Sequence, residues 1–203
     1  MKIYMIRHGE TDWNKKRKLQ GQVDIPLNEF GKLLAKETAP ALADVPFAVC
    51  YTSPLKRAAE TARLVLGDRE VPIVPDKRIQ EMSFGEFEGL CCREEGWNIP
   101  DPGFRNFFNA PEVYQPPKGG ESFEEVRARL NNFLEELYQK EELQDKNVLL
   151  STHGAALCGI LISGYWQQGV HKNCAVSIAE VKDGKIEILQ ENVTYYQESV
   201  QDW

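Results

Sequence analysis

Histidine is scarce in this chain, with three in 203 residues. Cysteine is no more helpful to a metal or a bridged scaffold. The five cysteines are an odd count, and none shows metal-ligand spacing. Cys50 and Cys158 fall inside apolar runs, Cys91 and Cys92 are adjacent, and Cys174 stands apart. No even framework of bridges is suggested, and a reducing cytoplasm is predicted. Positive charge is also in deficit: the formal net charge is −7, which disfavours nucleic acid or an anionic membrane as partner, since both need a broad basic surface. No stretch approaches the roughly 18 apolar residues of a membrane helix. The opening Lys2-Ile3-Tyr4-Met5-Ile6 is too short for a signal segment and runs straight into Arg7.

What remains is an ordinary globular composition, 42% apolar and 27% charged. Strand and helix signals alternate, without repeats or a flexible linker. Residues 2–6 read as a strand buried on both faces. Asn28 is the predicted N-cap of a helix with apolar positions Phe30, Leu33, Leu34, Ala41 and Leu42, kinked or ended early by Pro40. "FAVCYTSP" predicts a second strand, with Ser53-Pro54 as N-cap and N1 of the next helix. "VPIV" is a short third strand. Ser122 and Glu125 form a capping box for a helix over 122–140. "NVLLSTHG" is a strand entering a helix near 155–163, and the chain closes on a hairpin turning at Asp183-Gly184. The stretch 91–120 is irregular, with five prolines and the aromatics Trp97, Phe104, Phe107, Phe108 and Tyr114. Loops of that length are uncommon unless they act as lids or binding elements. One α/β domain over 1–203 with a largely parallel sheet is the economical reading.

The scarce histidines show a pattern. "YMIRHGET" places His8 after an apolar strand and before a glycine, and "LLSTHG" does the same for His153. In open α/β sheets ligands bind in the crevice beyond the carboxyl ends of strands. Two such strands would bring two imidazoles to one crevice, with the glycines letting the backbone turn beside the rings. Arg7 adjoins His8, and Arg57 lies in the first turn of the helix after "TSP". Two guanidinium forks and a helix N-terminus describe a pocket for a tetrahedral dianion, so the inferred ligand is phosphate. Neighbouring arginines oppose a metal-ligand role for His8 and favour its neutral form, which can attack phosphorus unaided. Such a route also needs an acid for the leaving oxygen and a base for water. Glu81, Glu86 and Glu88 in "RIQEMSFGEFEGL" are the candidates, and spacing does not choose among them.

Together, "IRHGET", Asn14, "LQGQVDIPLNEFG", "YTSPLKRAAETA", "IQEMSFGEFEG", "GGESFEEV" and "STHG" resemble the histidine phosphatase superfamily, the phosphoglycerate-mutase-like proteins. The resemblance implies a three-layer α/β/α sandwich and a covalent phosphohistidine mechanism with no metal or other cofactor. It aligns His8 with the nucleophile, Arg7, Arg57 and His153 with the phosphate-holding groups, and Glu81 with the proton donor. Asn14, Gln20 and Gly154 match pocket-lining positions. Glu10 and Thr11 belong to the motif, as turn residues or as ligand contacts. His171 matches no motif and is expected to be an exposed loop histidine. Lys15-Lys16-Arg17-Lys18 reads as a solvated face beside the motif loop.

Both phosphatases and mutases occur in such a family. The segment 91–120 carries only Arg93, Arg105 and Lys118 as cations. As a lid it suits the apolar or planar part of a phosphomonoester better than a bisphosphate, although the same aromatics also suit a subdomain core. A phosphomonoesterase acting on a small phosphorylated metabolite is therefore expected, ahead of a mutase and of a non-catalytic phospholigand-binding module.

Overall fold

The computed structural model describes residues 1–161, 171–182 and 185–196. In chain order it contains strand β1 (Lys2–Arg7), helix α1 (Asp12–Lys15), α2 (Glu29–Thr38), β2 (Phe47–Thr52), α3 (Lys56–Leu66), β3 (Ile73–Pro75), α4 (Asn106–Asn109), α5 (Phe123–Tyr138), β4 (Asn147–Thr152), α6 (Gly154–Leu161), β5 (Val176–Lys182) and β6 (Lys185–Val193). The six strands form one sheet in the order β3-β2-β4-β1-β5-β6. The pairs β2–β3, β2–β4 and β1–β4 are parallel, while β1–β5 and β5–β6 are antiparallel. The closing hairpin pairs as its pattern predicts, with Asp183-Gly184 outside the described residues.

Period-two burial explains the layers. Ile3, Met5, Val148 and Leu150 face a core shared with α5 and α6, whereas Ile6, Leu149 and Cys50 face one shared with α2 and α3. Strands covered on both faces read as unbroken apolar runs, which is the α/β/α arrangement the resemblance implies.

Helix ends refine the sequence reading. The α5 capping box forms as expected, Ser122 accepting from the Glu125 N–H at 3.2 Å and Glu125 from the Ser122 N–H at 2.8 Å. Asn28 caps α2 through the Gly31 N–H at 2.7 Å. The α-helix then stops at Thr38, and Pro40 starts a 3-10 turn over Ala39–Leu42. Leu42 is buried there, but Leu33 faces solvent at 46% exposure. The expected cap at Ser53-Pro54 does not form. The N-cap of α3 is Leu55, without a side-chain bond. Ser53 Oγ lies 2.7 Å from His153 Nε2 and accepts only from the Leu55 N–H, at 3.3 Å, before the helix begins.

The aromatics of 91–120 settle largely as core. Phe104, Phe107 and Tyr114 are buried with Phe84, Phe87 and Phe123, edge-on or stacked at 5.1–5.9 Å between centroids. Burying each such side chain is worth about 1.5–3 kcal/mol. Phe107 and Phe108, with Phe84, also line the crevice described next. Arg93 and Arg105, two of this segment's cations, pair locally with Glu95 and Glu94.

Candidate active site

The parallel register of β1 and β4 sets Arg7 beside Thr152, so the following residues, His8 and His153, leave the sheet side by side. The two rings lie 5.1 Å apart between centroids, tilted by 58°. Gly9 is not in the left-handed region; its contribution is space. A Cβ there would meet the Gly31 carbonyl oxygen at 2.4 Å, and one on Gly31 would meet that of Glu10 at 2.1 Å. Backbone packs on backbone where the loop after His8 meets α2, and only glycine allows it.

The tautomer of His8 follows from its neighbour. Nδ1 is 2.7 Å from the Gly9 carbonyl, which can only accept. Nδ1 therefore carries the proton, and Nε2 of the neutral ring keeps its lone pair. Burial, then Arg57 and Arg7, hold the His8 pKa well below the usual imidazole range. Burial, then Arg57, His8 and Arg7, do the same for His153. Burial and Arg7 bring His171 to about 4.

These shifts have a sign in stability. Unfolded, each ring takes up a proton below about pH 6.5; folded, it stays neutral. The unfolded state thus binds more protons, and folding stability present above that pH is lost as pH falls. The slope approaches about 1.4 kcal/mol per pH unit for each ring, or roughly 4 for all three. Urea unfolding between pH 6.5 and 5 should show it, and His171→Gln should remove about a third of the slope. A flat profile would mean that the rings are protonated in the folded chain.

Arginine supplies the positive wall. Arg57 is fully buried and donates to the Gly21 and Val23 carbonyls at 2.6 and 2.8 Å. Burial pulls its pKa down to about 10, a value at which it is still charged at neutral pH. Arg7 donates through Nη1 to the His171 carbonyl. On both guanidiniums Nε is a buried donor with no partner among the described residues. Leaving such a donor unpaired costs about 1–3 kcal/mol.

Glu81 is the carboxylate of the three candidates that reaches this place. Its oxygens accept from the N–H groups of Met82, Ala155 and Ala156 at 3.0, 3.3 and 3.1 Å, across the start of α6. Glu86 is exposed, and Glu88 is occupied with the N–H groups of Gln22 and Phe84 at 2.9 and 3.1 Å. Arg129, which sequence reasoning missed, pins the segment leading to Glu81. It donates to the carbonyls of Arg78, Gln80 and Glu81 at 2.7, 2.8 and 3.0 Å and pairs with Glu121 at 2.8 Å. Nothing in the local pattern marks it, because its carbonyl partners lie about 50 residues away.

A cavity of about 510 Å³ opens over these groups. Arg7, His8, Asn14, Gln20, Arg57, Glu81 and Gly154 all line it, but His153 does not. That ring sits fully buried beside His8, its Nδ1 without a partner among the described residues. Thr11 joins the two amides: it accepts from the Asn14 N–H at 3.1 Å, and its Oγ1 lies 2.9 Å from Gln20 Oε1. Glu10 accepts from Asn28 Nδ2 at 2.8 Å, so these two motif residues shape the turn. Lys15 and Lys16 are exposed as expected, whereas Arg17 and Lys18 line the cavity. Among the described residues no group of His, Cys, Asp and Glu side chains converges as a metal site requires.

The expectation for His171 is overturned. It is 4% exposed and lines the cavity, because Arg7 holds its carbonyl and the Cys174 N–H donates to the Arg7 carbonyl at 3.0 Å. Asn173, also missed, donates to the His8 carbonyl at 2.8 Å. Both arrive from the stretch that enters the closing hairpin, far from His8 in sequence.

The chain is similar to several known proteins. An uncharacterized phosphatase of Bacillus subtilis, PhoE, is 36% identical over 80% of this chain and 77% of its own. A 2,3-bisphosphoglycerate-dependent phosphoglycerate mutase of Gloeobacter violaceus is 34% identical over 79% and 74%. A metal-independent phosphoserine phosphatase of Arabidopsis thaliana is 34% identical over 90% and 77%. Among solved structures, YhfR of Bacillus stearothermophilus superposes with a TM-score of 0.87 at 33% identity, covering 96% of this chain and 98% of that one. Residues 3–194 match the family as a whole, and the chain belongs to the histidine phosphatase superfamily (branch 1).

Proposed function

We propose that this chain hydrolyses small phosphomonoesters by way of a phosphate held covalently on Nε2 of His8, without a metal. The observation that carries the reading is the His8–Gly9 contact, which leaves Nε2 unprotonated in a ring kept neutral by burial and two arginines. In the first half-reaction Nε2 attacks phosphorus and the ester P–O bond breaks. Glu81 in its acid form gives its proton to the departing oxygen. In the second, water attacks the phosphohistidine, the P–N bond breaks, and the Glu81 carboxylate takes the water proton. Arg7 and Arg57 carry the phosphoryl charge through both steps, and His153 backs the nucleophile from behind. Asn14, Gln20 and Gly154 line the phosphate end. Phe84, Phe107 and Phe108 supply the apolar wall for the ester group.

The test is release of inorganic phosphate from p-nitrophenyl phosphate and from a panel of phosphorylated metabolites. Glu81→Gln should lose little on p-nitrophenyl phosphate, whose leaving group needs no acid for departure. On alkyl phosphates it should lose about 10²-fold or more. Equal losses on both would remove Glu81 from the acid role. Phosphoglycerate interconversion dependent on 2,3-bisphosphoglycerate, without net phosphate release, would decide for a mutase instead.

The name of the Arabidopsis relative supports a phosphorylated metabolite as substrate rather than a macromolecule. The five cysteines are all free thiols, and among the described residues no helix is long and apolar enough to cross a membrane. Both fit the cytoplasm as the compartment we propose.

A further inference from the structure

Glu81 sits on a stretch without regular structure, since residues 80–83 belong to no strand or helix. Their backbone groups have no ladder to join, so side chains must satisfy and place them. Arg129 takes the carbonyls of Gln80 and Glu81 at 2.8 and 3.0 Å and, just before them, that of Arg78 at 2.7 Å. Gln22 Nε2 adds a second bond to the Glu81 carbonyl at 3.1 Å. On the other side Glu121 accepts from the Ser83 N–H at 2.8 Å, and its own N–H donates to the Ser83 carbonyl at 2.9 Å. The proton donor of the proposed reaction is thus bracketed by Arg129, Gln22 and Glu121, none of which lines the cavity.

These three side chains are themselves joined. Glu121 accepts from Arg129 through both oxygens, at 2.8 and 3.0 Å, and from Gln22 Nε2 at 3.3 Å. A carbonyl and an ion-paired carboxylate can only accept, so the amide nitrogen of Gln22 belongs between them. The Arg129–Glu121 pair is mostly buried, at 17% and 21% side-chain exposure, where charge-assisted bonds hold their geometry well. Its base is rigid: Arg129 stands on α5, and Glu121 directly precedes the Ser122 cap of the same helix. The far end is the loop that shapes the anion pocket. Gln22 lies between Gly21 and Val23, whose carbonyls Arg57 clamps.

We propose that Arg129, Glu121 and Gln22 act as one positioning unit, which holds Glu81 within reach of the departing oxygen and ties it to the loop that Arg57 grips. The inference rests on the phosphatase reading above and adds residues to its acid step. A general acid works only within about 2.6–3.2 Å of the atom it protonates. A misplacement of about 1 Å, caused by a substitution away from the chemistry, can cost about 10²-fold. The N–H groups of Met82, Ala155 and Ala156 orient the Glu81 carboxylate, but only once its backbone has been brought to them. Bringing it there is the task of the three side chains.

The readout is the ratio of kcat/KM for p-nitrophenyl phosphate to that for glycerol phosphate, measured on the full chain. The first ester has a leaving group that needs no acid, and the second has one that does. The ratio should rise about tenfold or more in Arg129→Gln and several-fold in Gln22→Leu. Arg129→Lys keeps the charge facing Glu121 but not the fork, so its ratio should fall between those of wild type and Arg129→Gln. Loosening of the fold, or a smaller active fraction, scales both esters alike and leaves the ratio where it was. Gln22→Leu removes two neutral donors and no charge, so it carries the test should the arginine variants not fold. In a Glu81→Gln background, where no acid remains to be placed, adding Gln22→Leu should leave the ratio unchanged. A wild-type ratio in Gln22→Leu, or a further rise when it is added to Glu81→Gln, would overturn the positioning unit and leave the phosphatase intact. A Glu81→Gln protein with no ester dependence of its own would instead strike the acid role on which the inference rests.

Discussion

His8→Ala should reduce turnover by about 10⁴-fold or more, the order seen when a covalent nucleophile is removed. Wild type quenched during turnover should carry acid-labile phosphate on His8. The size of the loss follows from the site's construction. Nε2 is the ring nitrogen left with a lone pair, on a ring that lines the cavity together with the two arginines. His153 cannot take over, since its ring is shut behind His8 and its Nε2 is engaged with Ser53. The substitution also strips the Gly9 carbonyl of a buried partner, so a melting curve must accompany the kinetics. A folded His8→Ala protein with near-native kcat would end the phosphohistidine mechanism.

Arg57→Ala should lower kcat/KM by about 10²-fold or more, chiefly through kcat, as expected for a preorganised charged donor acting on transition-state charge. Arg57 has two tasks that the variants separate. Its Nη groups clamp the Gly21 and Val23 carbonyls, which shapes the loop carrying Gln20, while its charge acts on the phosphoryl group. Arg57→Lys keeps the charge but loses the fork, so it should recover only part of the activity. A change confined to KM would show that the residue holds ground and transition states alike.

Most elements were legible because their signals are local. The Ser122 capping box, the apolar run of Ile3 to Ile6 and the Asn28 cap each depend on residues within about one or two helical turns. The misjudged features share the opposite character. Ser53 looks like a cap for α3, yet the helix starts after Leu55, and the Ser53 hydroxyl is shared between the Leu55 N–H and His153, 100 residues away. Leu33 satisfies the helical period but lies outside the stripe that α2 buries. Arg129 looks like any solvated helix arginine until its carbonyl partners arrive from the segment before Glu81.

The site divides in the same way. The repeated strand-histidine-glycine pattern, the arginines beside it and the acidic block were in plain view, since nucleophile, anion holders and proton donor are restricted to particular side chains. Their order along the chain set the fold class and the reaction type. Tertiary structure alone decided which carboxylate reaches the crevice, because Glu81 is held by the N–H groups of a helix 74 and 75 residues further on. It likewise turned His171 from a presumed surface residue into a wall of the cavity. Local patterning records what a residue can do chemically, but burial and partnership are set by chain segments that meet only when the sheet assembles.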